Sequence, residues 1–343
     1  MKKMTYKNSG VDIEEKEEAI KQLLSSILTK RKGTIGKPMG GHYAGLIEFG
    51  DFALVLCTDG VGTKVRIAEA LKKYDTIGID CIAMNVNDAL CVGAEPLAFV
   101  DYLAMEDPNP KITKEIGRGL EKGARLANIS IVGGETADLP ELINGFDLAG
   151  TCLAYVKKNR VILGNTIQLG DVIIGLSSSG IHSNGYTLAR RVINEAELSY
   201  MDHFPDGLYR GKTIGEIMLT PTRIYVKEIL ELFKKIDVHG LAHITGSGLW
   251  NIPRLKEKVQ YMLDDPLKPQ PIFSFLRDQG NIDYYEMYQI FNMGMGFAII
   301  VSDEDEKESI GILRNHSDAT VKRVGSVIKG AGVNMPHLKL HYR

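Results

Sequence analysis

Residues 52–64 read FALVLCTDGVGTK, an apolar run that ends in a carboxylate, two glycines and a lysine. Short apolar runs bounded by turn residues are typical of buried strands. We predict a strand over 52–57 that ends at Thr58-Asp59-Gly60. The segments on either side of this strand determine the fold class.

The segments that follow alternate between helical and extended patterns. Their periodicity predicts helices over 76–92 and 113–127 and strands over 98–103, 129–132 and 148–156. Strands and helices that mix in this way indicate an α/β or α+β class, and we expect an α+β (mixed α/β) fold. Upstream of the first strand, we predict a helix capped by Asp12 that extends to about Leu28. A basic, glycine-rich loop is expected after it.

A break in the pattern divides the chain into two halves. The polar run at 157–160 is followed by a strong strand at 171–176, and we place the boundary near 161–170. The 343 residues suffice for two cores, so we expect domains at 1–160 and 161–343. The second half is predicted to contain helices at 185–193, 222–233 and 304–314 and strands at 297–301 and 320–327.

Composition and charge exclude several classes of protein. The 41 basic and 43 acidic residues leave a formal net charge of −2, which argues against a nucleic-acid-binding protein. No apolar stretch approaches the ~18 residues of a membrane-spanning helix, and the N-terminus lacks a signal-peptide pattern. We therefore expect a cytoplasmic protein without nucleic-acid or membrane partners. Buried free thiols are favoured over disulfides or zinc ligation for the four cysteines, Cys57, Cys81, Cys91 and Cys152.

The common nucleotide-binding signatures are absent. Gly211-Lys212-Thr213 has the end of a Walker A loop, but Asp206 stands where its first glycine must be. The glycines at 36–41 do not follow a predicted strand, as a dinucleotide-binding fingerprint requires. Any ATP chemistry must therefore use a different scaffold.

Thr58-Asp59-Gly60-Val61-Gly62-Thr63-Lys64 is the first segment that could carry chemistry. A carboxylate at a strand end, accessible backbone amides and a lysine suit the binding of a Mg²⁺–phosphate group. A tight turn with a solvated lysine explains the same residues equally well.

The helix predicted over 76–92 contains acidic and amide side chains but no Lys, Arg or Glu. Partly buried carboxylates without basic partners attract a cation. We therefore favour a divalent metal site on this helix over hydrogen bonding between helices. The polar side chains concerned are Asp80, Asn85, Asn87 and Asp88.

Two more glycine-rich segments follow predicted strands. Val132-Gly133-Gly134-Glu135-Thr136-Ala137-Asp138 makes Glu135 a candidate for binding a metal or ribose hydroxyls, although a Gly-Gly turn with an exposed acid is the alternative. Ser177-Ser178-Ser179-Gly180-Ile181-His182-Ser183-Asn184-Gly185-Tyr186 leads into a helix, whose free amides can bind phosphate. Helix capping by Ser183 or Asn184 is the simpler explanation, but we favour a substrate site.

A histidine pair precedes the last glycine-rich turn, Gly246-Ser247-Gly248. The four-residue spacing of His239 and His243 suggests zinc, but no HExxH motif or third ligand supports it. A single histidine before such a turn fits phosphate contact or proton transfer better.

In this order and spacing, the segments resemble the phosphoribosylformylglycinamidine cyclo-ligase (aminoimidazole ribonucleotide synthetase) family over nearly the whole chain. The resemblance is carried by YKNSGVD (6–12), TDGVGTK (58–64), DTIGID (75–80), NVND (85–88), GAEP (93–96), Asp101-Tyr102, VGGETADLP (132–140), SSGIHSNGY (178–186), PTRIYV (221–226), HITGSG (243–248) and Glu286-Met287-Tyr288.

The resemblance implies a fold and a reaction. Members are homodimers of two mixed α/β domains, whose N-terminal sheets pair across the dimer into a β-barrel, with ATP sites along the cleft and a mixed C-terminal sheet with flanking helices. They convert formylglycinamidine ribonucleotide and ATP into 5-aminoimidazole ribonucleotide, ADP and phosphate in purine biosynthesis. Phosphorylation of the formamide oxygen creates a leaving group, and the amidine nitrogen then closes the ring.

The same resemblance implies roles for individual residues. ATP would be bound by Asp59, Gly60, Gly62, Thr63, Lys64, Gly133, Gly134, Glu135 and Thr136. Mg²⁺ would be held by Asp59, Asp88 and Glu135, with Asp80 or Asn87 as further ligands. The ribonucleotide would be bound by Ser179, Gly180, His182, Ser183, Asn184, Gly246 and Ser247. The catalytic residues would be His243, Lys64 and His182, with Lys64 neutralising phosphate and His243 near the transferred phosphoryl group.

Two departures and three alternatives accompany the resemblance. The N-terminal loop reads Gly40-Gly41-His42-Tyr43-Ala44-Gly45 rather than a GGFG-like sequence, and Ser247 replaces a glycine of the HITGGG-like motif. A selenophosphate synthetase is disfavoured because no cysteine precedes Cys57. A thiamine-monophosphate kinase lacks the HSNGY and PTRIYV patterns, and a non-catalytic scaffold would have lost the acids or the histidine.

Overall fold

The computed structural model describes residues 4–36, 42–205 and 209–342. Gly40 and Gly41 of the variant loop, and Asp206, lie outside these ranges. The strands in the described parts form two sheets, one from each half of the chain.

The first half contains a six-stranded, mainly antiparallel sheet. Its strands are β1 Thr34–Ile35, β2 Gly45–Phe49, β3 Phe52–Gly60, β4 Glu95–Met105, β5 Ser130–Asp138 and β6 Phe146–Lys157. Its helices are α1 Ile13–Ser25, α2 Val65–Leu71, α3 Ile77–Leu90 and α4 Pro110–Ala127. The strand order is β1-β2-β3-β6-β4-β5, and only β4 and β5 pair in parallel.

The second half contains a seven-stranded mixed sheet with helices around it. Its strands are β7 Val172–Ser177, β8 Gly240–His243, β9 Val259–Met262, β10 Met295–Val301, β11 Val321–Lys329, β12 Gly332–Met335 and β13 Leu340–Tyr342. Its helices are α5 Tyr186–Glu195, α6 Ile214–Met218, α7 Val226–Phe233, α8 Pro271–Gly280, α9 Tyr284–Ile290 and α10 Glu306–His316. The strand order is β13-β12-β9-β11-β7-β10-β8. Strand β10 is buried along its whole length, as a central strand covered on both faces should be.

Helix α3 packs so closely against α4 that glycine is required at the contact. A Cβ atom on Gly78 would lie 2.1 Å from the backbone nitrogen of Leu120, and one on Gly119 would lie 2.8 Å from the carbonyl oxygen of Asp75. Every residue of α3 except Asp88 is buried. The polar side chains of this helix therefore meet protein groups rather than solvent.

The outer face of the first sheet is apolar and exposed. Leu56 is 52% exposed, and the strand register places Val100 and Tyr102 on the same side of the sheet. Val132, at the register shift in β5, is 67% exposed. Strand β5 forms one edge, and nearly all of its residues are exposed. Unpaired edges and apolar faces of this kind usually mark an interface.

The predicted two-domain, mixed α+β class is confirmed, with differences in individual elements. The strand predicted over 129–132 continues to Asp138, because β5 pairs with β4 over its whole length. The helix predicted over 222–233 begins only at Val226, because the backbone N–H groups of Thr222 and Tyr225 donate to side chains of α3. Two short strands, β12 and β13, follow the strand predicted over 320–327.

Other sequence predictions concern single groups. Asp12 caps α1, with its Oδ1 accepting from the backbone N–H of Glu14 at 3.1 Å, but the helix ends at Ser25 rather than near Leu28. The four cysteines are free and buried, as predicted. Among the helices that the structure describes, none is long and apolar enough to cross a membrane.

Candidate active site

Helix α3 joins the two halves of the molecule through its polar side chains. Asp80 accepts hydrogen bonds from Thr222, and Asn87 bonds to the backbone of Arg223 and Tyr225. On the other side of the helix, Asn85 donates to the backbone carbonyl oxygen of Asp59 at 3.1 Å. Residues 220–226 are therefore held in place by helix α3, for which the sequence predicts a metal site.

Lys64 and Asp80 form a fully buried ion pair. The Lys64 Nζ lies 2.9 Å from Asp80 Oδ1 and 2.8 Å from Oδ2. It also donates to the carbonyl oxygens of His182 at 2.9 Å and Thr220 at 2.7 Å, which uses all three of its N–H groups. Burial lowers the pKa of Lys64, and the adjacent Asp80 carboxylate opposes that shift.

This arrangement corrects two predicted roles. Lys64 has no N–H left to neutralise a phosphate, and Asp80 is enclosed rather than open to a metal. Asp80 Oδ1 also accepts from the backbone N–H and the hydroxyl of Thr222 at 2.7 and 2.6 Å. The helix lacks basic residues of its own, but the fold supplies one from 16 positions upstream.

Asp59 and Asp88 are the two predicted metal ligands that the fold brings together. Asp59 lies near the end of β3, where its Oδ1 accepts from the backbone N–H of Gly60 at 2.7 Å. Burial and the nearby Asp88 carboxylate raise the pKa of Asp59 to about 6. Two carboxylates close together without a cation favour protonation of one of them, or the arrival of a positive ion.

His243 lies at the end of β8 and holds Asp88 in place. Its Nδ1 is 2.8 Å from Asp88 Oδ1, and its Nε2 is 3.4 Å from the amide nitrogen of Asn87. Because an amide nitrogen can only donate, we assign the histidine proton to Nδ1, which then donates to the carboxylate. The ring is fully buried, so this contact orients Asp88 and does not connect the ring to solvent.

Asn87 connects α3 to the start of α7. Its Oδ1 accepts from the backbone N–H of Tyr225 at 3.1 Å, and its Nδ2 donates to the carbonyl oxygen of Arg223 at 2.9 Å. The side chain is buried and engaged at both ends. This differs from the predicted metal-binding role, and it makes Asn87 a link between the two halves.

His182 is a buried, neutral histidine in the loop after β7. Its Nε2 accepts from the backbone N–H of Ser179 at 3.2 Å, which places the proton on Nδ1. Burial, followed by the positive charges of its surroundings, holds the pKa of His182 well below its usual value. Its φ of 67° is left-handed, and Asn292 fixes the loop by donating to the carbonyl oxygens of Gly180 and Ile181. Nδ1 has no partner within the described ranges, so its N–H is an unsatisfied donor that is itself buried.

The neighbouring hydroxyls are already engaged. Ser179 Oγ donates to the carbonyl oxygen of Pro221 at 2.5 Å, and Ser183 Oγ lies 3.0 Å from Thr222 Oγ1 and 3.3 Å from Asp80 Oδ1. The hydrogen of each hydroxyl is therefore used within the protein, and the predicted contacts of Ser179 and Ser183 with substrate stay predictions. Both hydroxyls attach the loop after β7 to the segment before α7.

The remaining predicted substrate residues come from two loops. A Cβ atom on Gly246 would lie 2.7 Å from Asn184 Oδ1, so the two loops approach closely. Ser247 Oγ is 3.5 Å from an Arg254 guanidinium nitrogen. In the turn after β3, Thr63 Oγ1 lies 3.2 Å from Thr187 Oγ1, and Gly62 has a φ of 70°. At these loops, residues of the first half lie close to residues of the second half.

Glu135 lies on a different part of the sheet from Asp59. Cross-strand pairing runs from Gly60 to Ala149, then to Tyr102, and then to Glu135. At about 4.8 Å per strand, Glu135 is roughly 14 Å from Gly60 within one chain. At that distance, Glu135 does not share one metal ion with Asp59 and Asp88 inside a single chain, while the ATP-binding roles predicted for Gly133, Gly134 and Thr136 stay predictions. In the parts that the structure describes, no three His, Cys, Asp or Glu side chains converge on a metal position.

Sequence reasoning missed several residues of this region. Thr220, Thr222 and Tyr225 supply the acceptor and donors that fix Lys64, Asp80 and Asn87. The PTRIYV segment contributes to the family resemblance, which implies no role for its residues. The sequence offers no signal for these three contacts, because each of them uses a backbone atom that every residue possesses.

Comparisons with known proteins agree on one family. The N-terminal domain family described as "AIR synthase related protein" matches residues 41–156, and the corresponding C-terminal domain family matches residues 168–337. Phosphoribosylformylglycinamidine cyclo-ligase of Methanosarcina mazei is 54% identical over 313 residues, covering 91% of this chain and 92% of that protein. The Methanocaldococcus jannaschii protein of the same name is 51% identical over 333 residues, covering 96% and 94%.

Solved structures at lower identity share the fold. Thiamine-monophosphate kinase from Stenotrophomonas maltophilia K279a is 18% identical, with a TM-score of 0.64 over 93% of this chain and 94% of that chain. T. maritima PurL complexed with ADP is 16% identical, with a TM-score of 0.56 over 86% of this chain and 43% of that chain. At these identities, the likeness concerns the fold alone.

Proposed function

This chain belongs to the phosphoribosylformylglycinamidine cyclo-ligase family, and we propose that it closes the imidazole ring of 5-aminoimidazole ribonucleotide in purine biosynthesis at the expense of ATP. The reaction uses formylglycinamidine ribonucleotide and yields ADP and phosphate. The single observation that supports a location for this reaction is the Asp59–Asp88 carboxylate pair, which lies beside the Gly60-Val61-Gly62 turn.

The chemical steps follow from the poor leaving ability of an amide oxygen. The formamide oxygen attacks the γ-phosphorus of ATP, and the bond to ADP breaks. The amidine nitrogen then attacks the activated carbon, and the C–O bond breaks to release phosphate. Phosphoryl transfer of this kind depends mainly on positioning and on neutralisation of charge.

We propose that Asp59 and Asp88 hold Mg²⁺ at the ATP phosphates. The fit rests on the donor set: two carboxylates, a raised pKa at Asp59, and no salt bridge to Asp59 among the residues that the structure describes. When bound, the ion would offset negative charge on the phosphates. His243 contributes by donating its Nδ1–H to Asp88, which fixes the direction of that carboxylate. The turn after β3 offers the backbone amide of Gly62, since that of Gly60 already donates to Asp59.

We propose that the ribonucleotide lies between the loop after β7 and the turn at Gly246. His182 supports this placement, because it lies in this loop and its Nδ1–H lacks a protein acceptor. Asn184 lies against Gly246 and can contact the same ligand. Lys64, Asp80 and Asn87 hold the two halves in the orientation that this placement requires.

We propose that the working unit is a homodimer in which the first sheets of two copies form a barrel. The exposed apolar face and the exposed edge strand β5 support this assembly. The partner copy would then bring its own Gly133, Gly134, Glu135 and Thr136 to the ATP cleft. Val132→Glu should convert the dimer into a monomer in sedimentation experiments, whereas the exposed Leu169→Glu on the second half should not.

The activity is tested by following ADP and 5-aminoimidazole ribonucleotide together, with formylglycinamidine ribonucleotide, ATP and Mg²⁺ as reactants. Equal, substrate-dependent formation of both products supports the proposal, and ADP formation without the imidazole refutes it. Asp88→Asn should reduce kcat/KM by about 100-fold or more. The matched change Asp51→Asn, at an exposed turn of the same sheet, should leave it unaltered. We also propose a cytoplasmic location, which the four free thiols support.

A further inference from the structure

A cleft between the two halves lies apart from the candidate active site. Its volume is about 800 Å³, within the range of small-molecule sites. The walls come from the last turn of α4, the outer surface of α7 and the strand ends at Phe52 and Tyr155. None of Asp59, Asp88, His182 and His243 lines it. A second cavity of about 860 Å³ continues from it along the connection between the halves.

The rim of the cleft is strongly basic. Five cations face it against two acids. The acids are already engaged, because Glu231 pairs with Lys234 at 2.7 Å and Glu95 accepts from the Tyr155 hydroxyl at 3.0 Å. In the described part of the chain, Lys157, Arg160 and Lys227 make no side-chain hydrogen bond or ion pair. Three uncommitted cations around one cavity favour an anionic occupant.

The interior of the cleft is apolar and partly aromatic. Phe52 and Tyr155 form an edge-to-face pair with ring centroids 5.7 Å apart. Leu126, 53% exposed, and Leu230 line the opposite walls. An inorganic anion alone would leave this surface uncovered. A flat ring system joined to a phosphate would cover it and reach the rim.

The cleft also touches the segment that positions the candidate site. Helix α7 supplies one wall and starts directly after Tyr225, whose N–H is bound by Asn87. Helix α4 and the first sheet supply the others, so an occupant would contact both halves at once. Such a ligand stabilises the folded arrangement by mass action.

We propose that this interdomain cleft binds a nucleoside phosphate, with the base against Phe52 and Tyr155 and the phosphate at Arg160 and Lys227. The site is separate from the one proposed for ATP, and its occupancy does not depend on turnover. Guanosine 5′-monophosphate is a suitable probe, because its base differs from that of ATP.

The test is calorimetric titration of guanosine 5′-monophosphate into the full chain, with the ATP site filled by Mg²⁺ and a non-hydrolysable ATP analogue. We expect one additional site per chain and a rise in Tm. Guanosine and inorganic phosphate are titrated separately, and each should bind at least tenfold more weakly than the nucleotide. Phosphate binding as tight as the nucleotide would refute the role of the aromatic wall.

Variants locate the binding. Arg160→Gln combined with Lys227→Gln should weaken it by roughly tenfold or more, because each cation contributes a charge-assisted contact. Phe52→Ala should weaken it as well. Lys122→Gln, an exposed lysine on α4 outside the cleft, is the matched control and should bind as the parent does. Absence of an additional site, or equal binding by the Arg160/Lys227 variant and the control, would overturn the proposal.

Discussion

Replacing Lys64 by Met removes the positive charge of a buried ion pair and leaves the Asp80 carboxylate enclosed. The side chains of both residues are 0% exposed, so water cannot take the place of the ammonium. Three donors remain on Asp80: the backbone N–H and hydroxyl of Thr222 and the hydroxyl of Ser183. Loss of one partner of a buried pair typically costs about 3–5 kcal/mol. Because the remaining donors compensate part of the charge, we expect a loss near the lower end, about 3 kcal/mol in the free energy of unfolding.

The assay is chemical denaturation, with the shift in midpoint converted to free energy at constant slope. Lys72→Met is the matched control, since Lys72 is exposed and has no side-chain hydrogen bond or ion pair in the described ranges, and it should change stability by less than about 0.5 kcal/mol. The double variant Lys64→Met/Asp80→Asn should recover part of the loss, because the uncompensated charge is gone.

A competing explanation gives a different pattern. If Lys64 were free to neutralise phosphate, Lys64→Met would raise the KM for ATP and leave the denaturation midpoint where Lys72→Met leaves it. That result would refute the buried-pair reasoning. A stability loss in Lys64→Met that the double variant partly reverses would support it.

Three further predictions concern the carboxylate pair and the contact between α3 and α4. The folded-state pKa of Asp59 is raised to about 6, so between pH 4 and 6 the folded metal-free protein binds more protons than the unfolded chain and loses stability as the pH rises. Asp59→Asn should therefore raise the Tm of the metal-free protein at pH 8 and lower activity. An unchanged Tm would contradict this. His243→Ala should weaken Mg²⁺ binding or activity by about 10- to 100-fold, because Asp88 loses the N–H that orients it; activity assayed across a Mg²⁺ titration checks it. Gly78→Ala should destabilise strongly, since the new Cβ would lie 2.1 Å from a backbone nitrogen, whereas Gly117→Ala on α4, with open space around it, should stabilise by about 0.5–1 kcal/mol in thermal unfolding.

Long secondary-structure elements were predicted from the sequence better than short strands. The strand after Asp51 and the helix after Thr76 were predicted within a few residues, because each has a local periodicity that burial on one side imposes. Strands β8, β9, β12 and β13 were missed, since each is only three or four residues long. Such short strands carry no periodic signal, and their pairing comes from neighbours distant in the chain.

Some of the predicted site residues lie together in the structure, and others do not. The motif order identified the family, and Asp59 with Asp88 is the part of the predicted metal set that the single chain assembles. Lys64 and Asp80 differ from their predicted roles, because a lysine beside a glycine turn looks the same in sequence whether its ammonium reaches solvent or folds inward. Glu135 depends on a distance across three strands, which no spacing along the chain reports.

By itself, the sequence determined the mixed α+β class, the membership of a purine-synthesis ligase family and the residue types available for phosphate chemistry. Those properties follow from local residue patterns and from the order of the motifs, both of which can be read along the chain. Only the tertiary structure decided which polar groups bind one another and which remain available to a ligand. The buried partners of Lys64, the histidine behind Asp88 and the basic cleft beside α7 are all formed by residues far apart in the chain, and their chemistry depends on burial and distance, which only the folded molecule defines.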